Sequence, residues 1–150
     1  MKNIFEKEVS QEIINRINNL TSKSTAVWGK MSVAQMLAHC CITYEMIYEK
    51  THVKPNKFKA LMLNLFVKNI VVGEKSYKTN SRTAPEFIVS DEREFEKEKE
   101  RLIKYINKTQ ELGSDYFDNK ESHSFGKLSA TEWNNMFYKH LDHHLHQFSV

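Results

Sequence analysis

The residues best equipped for chemistry lie at the end of the chain, in HLDHHLHQF (residues 140–148), where four histidines occupy seven positions. Imidazole is largely neutral near pH 7 and offers a free ring nitrogen, so grouped histidines can hold a divalent cation or relay protons. Leu141, Asp142 and Leu145 interrupt the run, and the apolar spacing before it continues through it, so it belongs to the protein and is not a purification tag. Counting about 100° per residue from Trp133 puts Phe137, His140, His144 and Phe148 on one helical face. The same count sends His143 to the flank, near about 280°, and Asp142 and His146 to the far side, near about 180° and 220°. His140 and His144 are thus expected inside, and His143 and His146 on the flank or surface.

Two imidazoles at i and i+4 sit on successive turns and can converge on one cation, the spacing used by zinc helices of the HExxH kind. The competing expectation is a pair of core histidines satisfied by neighbouring polar groups. Buried polar groups need partners, and a cation serves both rings at once, which favours a metal. Two ligands make a weak site, so a third is required. His39 lies in line with Met36, Thr43 and Met46, on the flank of an earlier helical stripe; His52, His123 and the thiols of Cys40 and Cys41 compete with it. Spacing leaves that choice open. Gln147, three residues after His144, is expected either to orient a ligand by a hydrogen bond or to pack as a surface amide. Tyr44 and Glu45 are the nearest candidates for acid or base work, although a glutamate at such a position usually belongs to a solvated face.

Positioning these side chains requires long helices. The 150 residues contain four glycines and two prolines, with 40% apolar and 27% charged residues, a composition poor in turn formers and suited to an all-α fold in one domain spanning 1–150. Helical periodicity runs through residues 3–20, from Ser32 to about residue 50, from Ser90 or Asp91 to Gly113, and from Ser129 nearly to the end. About forty residues separate the second and third of these, too many for a structureless loop. Residues 57–72 are expected to form an additional short helix, buried or packed against the rest, within a long bundle crossover.

WGKMSVAQM (28–36) and FGKLSATEW (125–133) share an order of aromatic, Gly, Lys, apolar, Ser, and Gln or Glu three residues after the serine. Each reads as a capping box that starts a helix. Convergence on a good helix start accounts for the echo as well as duplication does.

Charge and cysteine content exclude other classes. The net charge of +3 arises from 22 basic and 19 acidic side chains intermixed along the chain, so nucleic acid is not expected as a partner, and KPNKFK (54–59) reads as solvated surface. Adjacent Cys40 and Cys41 cannot close a structural loop, which suits a reducing, cytoplasmic compartment. The apolar stretch ALMLNLFVKNIVV is cut by Asn64, Lys68 and Asn69 and does not read as a membrane span.

The set WGKM, QMLAH, TAPEF, FGKLSATEW and HLDHHLHQF resembles the DinB-like superfamily of four-helix bundles, specifically a branch without an assigned reaction. The likeness runs from about Val27 to Phe148. It implies a divalent metal held by one histidine of the second helix and two, at i and i+4, of the last helix: His39, His140 and His144. Zn²⁺ and Ni²⁺ suit three imidazoles best and Fe²⁺ is also acceptable. The implied function is a metal-dependent hydrolase or thiol transferase acting on a small molecule, possible substrates including a low-molecular-weight thiol, with homodimerisation an option. The alternative is a non-catalytic metal-binding or stress-response bundle in which the metal is structural.

Overall fold

A computed structural model of the chain describes residues 1–49 and 51–150. It is an all-α bundle. Among the described residues the helices are α1 (Lys7–Asn18), α2 (Val33–Tyr48), α3 (Lys57–Phe66), α4 (Lys68–Val72), α5 (Phe95–Phe117) and α6 (Ala130–Gln147), with a 3₁₀ turn at Pro85–Phe87. The two-stranded antiparallel ribbon β1 (Lys120–Glu121) and β2 (Lys127–Leu128) delivers the chain to α6.

Both helices that carry histidines start on the expected capping boxes. Ser32 Oγ accepts from the Gln35 amide at 3.2 Å, while Gln35 Oε1 accepts from the Ser32 amide at 3.0 Å. Ser129 and Glu132 repeat the exchange at 3.2 and 2.9 Å. Each box satisfies two of the amides that a helix start leaves without partners. The third long helix begins later than Ser90 or Asp91, at Phe95. Its approach stays extended because the Asp91 carbonyl accepts from Gln35 Nε2 and the Asp91 carboxylate pairs with Arg93. At Gly113 the backbone leaves helical geometry, with φ +71°, and one further turn follows.

Helices α2, α5, α1 and α6 surround the core in that order, each packed on the next, and α5 also meets α6 across the middle. Tyr44, Phe117, Trp133 and Phe137 are almost fully buried there. Tyr44 and Phe137 stack with centroids 5.1 Å apart. One turn further along, Thr43 meets His140, and His39 meets both His140 and His144. The order 39, 43, 44 thus runs against 144, 140, 137, and α2 and α6 are antiparallel neighbours sharing one seam. Arg101 of α5 pins α2 through Glu45 at 2.7 Å.

The crossover from α2 to α5 carries α3 and α4 where one short helix was expected. The expectation that it is buried or packed does not hold for α3, which has no buried residue. Leu63 and Val67 line a cavity, while Phe58, Leu61, Leu65 and Phe66 face outward. A helix that roofs a cavity has no packed layer on either side, so its apolar residues stay partly wet. Leu65 is 63% exposed, and Leu65→Gln should change unfolding free energy by no more than about 0.5 kcal/mol in a denaturant titration. A larger loss would mean that this face is covered in solution. By contrast, α4 packs on α6: Asn135 Nδ2 donates to the Val72 carbonyl, and Lys139 Nζ donates to the carbonyls of Ile70 and Gly73. These contacts satisfy carbonyls at the C-terminal end of α4.

Candidate metal centre

His39 of α2 and His140 and His144 of α6 bring one ring nitrogen each to a common point, all within 4.8 Å of one another. His39 Nε2 and His140 Nε2 are 2.9 Å apart. The three ring centroids are separated by 4.9, 4.6 and 4.9 Å, with each pair edge to face. Nitrogens in a tetrahedral zinc shell lie roughly 3.3 Å apart for bonds of 2.0–2.1 Å, so small side-chain shifts would seat an ion among the three.

The outer ring nitrogens are held by a chain of obligatory partners. Phe87 of the 3₁₀ turn presents its carbonyl 2.8 Å from His39 Nδ1. A carbonyl only accepts, so His39 carries its proton on Nδ1 and its Nε2 lone pair faces the cluster. On the other side, Gln147 Nε2 donates to the Trp28 carbonyl at 2.7 Å. That bond fixes the orientation of the amide and turns Oε1 towards His144 Nδ1, 2.8 Å away. His144 therefore also carries its proton outward and its lone pair inward. Thr43 Oγ1 lies 3.1 Å from His140 Nδ1 and can donate or accept. Without a cation, His140 Nε2–H donates to His39 Nε2 and the Thr43 hydroxyl donates to Nδ1. To ligate one through Nε2, the ring would take the opposite tautomer, and Nδ1–H would donate to Thr43. In the cation-free state the inward nitrogen of His144 is the one ring nitrogen of the three left without a donor, and a cation would serve it.

Electrostatics keep the cluster neutral. Burial pushes the His144 pKa down to about 3, assisted by the nearby His39. Burial also lowers His39, against the raising effect of its bond to Phe87, and drives His140 well below the ordinary histidine range, with His39, His144 and His143 adding repulsion. Neutral imidazole is the form that ligates a metal.

The other candidates from sequence lie elsewhere. Cys40 and Cys41 are free thiols in the core, and burial pushes Cys41 up to about 12 and Cys40 well above its usual value. His52 pairs with Glu45 at 2.8 Å, and His123 Nδ1 bonds to Ser124 Oγ at 3.0 Å. Tyr44 is locked in the aromatic core, and Glu45 is engaged by Arg101 and His52. His143 stands half-buried on the flank, as the face count expects. It lines the cavity, with its ring 5.1 Å from that of His144 and between Trp28 and Tyr77 at 5.7 and 5.6 Å. The crossover supplies Tyr77 and builds a wall over what a lone α6 would expose. His146 remains on the surface, with Nδ1 on the Asp142 carbonyl.

Sequence reasoning did not assign the carbonyls of Phe87 and Trp28. Backbone acceptors carry no side-chain signature, although both residues sit inside conspicuous strings, TAPEF and WGKM. Gly29 gives the second string a purpose. Its φ is +83°, and a Cβ there would stand 2.6 Å from Gln147 Nε2. Gly29→Ala should therefore displace Gln147 and cost about 1–2 kcal/mol in thermal unfolding. It should also weaken metal binding by roughly tenfold or more, as loss of a ligand-orienting partner does. Equal affinity in a competition titration would show that Gln147 does not orient His144.

Fold and site together define a helical bundle with a three-histidine cluster able to hold a metal ion. The chain belongs to the DUF1569 family, described as proteins of unknown function, which it matches over residues 5–150. Comparisons with curated proteins and with solved structures return no match. No described helix is long and apolar enough to cross a membrane.

Proposed function

We propose that this protein is a divalent-metal-dependent enzyme of the DinB-like kind, a hydrolase or thiol transferase acting on a small molecule. His39, His140 and His144 are its metal ligands and Gln147 orients His144. Zn²⁺ or Ni²⁺ is the expected ion, with Fe²⁺ also compatible with the donor set. The observation that carries the reading is the pair of inward lone pairs on His39 and His144, each imposed by a backbone carbonyl beyond the cluster. Three histidine ligands leave coordination positions open, which is the arrangement of catalytic sites. When bound, such an ion supplies Lewis acidity that activates a water or a thiol as nucleophile. The chain's own contribution is to hold three neutral imidazoles, to fix the tautomers of His39 and His144, and to place all three at the wall of a cavity of about 1180 Å³.

Metal analysis of tag-free protein should find close to one divalent ion per chain. Metal-free protein after saturation with Zn²⁺, Ni²⁺ and Fe²⁺ in turn would end the proposal. A second reading, a metal that fastens α2 to α6, draws on the burial of His39 and His144. Chelation separates the two: loss of turnover on a thiol and ester panel with the fold intact supports the enzyme, whereas unfolding on chelation supports the fastener.

A further inference from the structure

We infer that the cavity over the three histidines receives an anionic amphiphile, a molecule with an acidic head and an apolar body. The inference deepens the proposed function and rests on its reading of the cavity beside the three histidines as the place of chemistry. The volume of 1180 Å³ exceeds the roughly 300–1,000 Å³ of ordinary small-molecule pockets, so the space is generous for a compact polar substrate.

Apolar side chains from α2, α3, α4 and α6 line it. Met46 and Ile47 of α2, Leu63 of α3, Val67 between α3 and α4, Val71 of α4 and Met136 of α6 all line it, and all six are only half-buried. Ile47, Val71 and Met136 also pack on the core behind them, while Leu63 and Val67 belong to the roof. An apolar body would remove their remaining surface from water, at about 25 cal/mol per Å². The two methionines can conform to varied shapes.

Its mouth is cationic. Lys30, Lys59, Lys75, Lys78 and Arg82 line the cavity, against one carboxylate, Glu86, and Lys59 already bonds to Glu86. Lys30, Lys75, Lys78 and Arg82 are exposed and make no ion pair among the described residues. Charges that are intermixed along the sequence are thus gathered by the fold, because residues of the crossover from 75 to 82 and the loop that carries Lys30 line the same cavity. A cationic rim around apolar walls attracts and holds an acidic head while its tail enters. A cationic or zwitterionic ligand would gain nothing from this rim.

Isothermal titration calorimetry with decanoate, below its micelle concentration, tests the assignment. One decanoate should bind per chain, at least about a hundredfold more tightly than butanoate and about tenfold more tightly than decyltrimethylammonium. Removing the rim in Lys75→Ala/Lys78→Ala/Arg82→Ala should weaken decanoate about tenfold and leave the ammonium probe unweakened. Val67→Asp, checked for fold by circular dichroism, should weaken decanoate, and Leu65→Gln on the outer face of α3 should not. No preference for the anion, no response to the rim variant, or loss on Leu65→Gln alone would overturn the assignment. His140→Ala, measured alongside, keeps the two ideas apart. Decanoate binding to His140→Ala, together with a wild type that takes up no metal, would sink the metal reading and leave this one standing. Metal uptake without decanoate selectivity would do the reverse.

Discussion

Replacing His140 with alanine should lower divalent-metal affinity at least about a hundredfold, because three ligands share the binding free energy and none is spare. His39→Ala and His144→Ala should do the same, whereas His143→Ala and His146→Ala should stay within a few-fold of wild type. The contrast between His143 and His144 is the informative one. Both rings line the cavity, 5.1 Å apart, but only His144 has its outer nitrogen engaged by Gln147 and its inner one aimed at His39 and His140. Metal competition with a chromophoric chelator measures all five variants on one scale. If His143→Ala loses as much affinity as His144→Ala, the ligand set is wrong. The metal-free His140→Ala protein should remain folded, since its side chain borders the cavity and water can reach the vacated nitrogen partners on Thr43 and His39.

Acid should be strongly destabilising. The three clustered histidines have folded-state pKa values below the ordinary one, His144 at about 3, while the unfolded chain protonates near about 6.5. As pH falls below that value the unfolded state binds protons that the folded state refuses, so unfolding becomes easier. The stabilisation is fully present above the ordinary histidine range and is lost downward towards the folded values. Each histidine that stays neutral in the folded chain while the unfolded chain protonates steepens that loss, which works against a typical stability of only about 5–15 kcal/mol. Urea midpoints of metal-free protein between pH 7 and pH 4.5 should fall steeply. His144→Gln should remove about one proton's worth of that slope, and an unchanged slope in this variant would show that His144 is protonated in the folded state. In metal-loaded protein the same protons compete with the ion, so release should accompany the fall.

Much of the fold is legible in the chain because its signals are local. Ser32 with Gln35 and Ser129 with Glu132 are capping boxes in sequence and in space, and Gly113 breaks α5 where its position suggests. Elements whose form depends on distant contacts were less legible. The start of α5 is displaced by Gln35 bonding to the Asp91 carbonyl from 56 residues away. The apolar pattern of residues 57–66 reads as a packed helix, yet α3 lies over a cavity with no residue buried. The same limit applies to the site. Face counting separates His140 and His144 from His146, because helical periodicity alone decides which way they point. It puts His143 on the flank, where that residue is half-buried, but gives no sign of the wall that Trp28 and Tyr77 build there from other parts of the chain.

The sequence by itself therefore determined an all-α chain, where the two histidine-bearing helices begin, and that His140 and His144 share a face, since each follows from bonds and angles within a few residues. Only the tertiary structure decided that His39 meets them across the α2–α6 seam and that the carbonyls of Phe87 and Trp28 set the tautomers. It also decided that scattered lysines gather at one mouth. Those features join residues about fifty to more than a hundred positions apart, and no local period encodes which distant backbone oxygen or charge will close the shell around a ring.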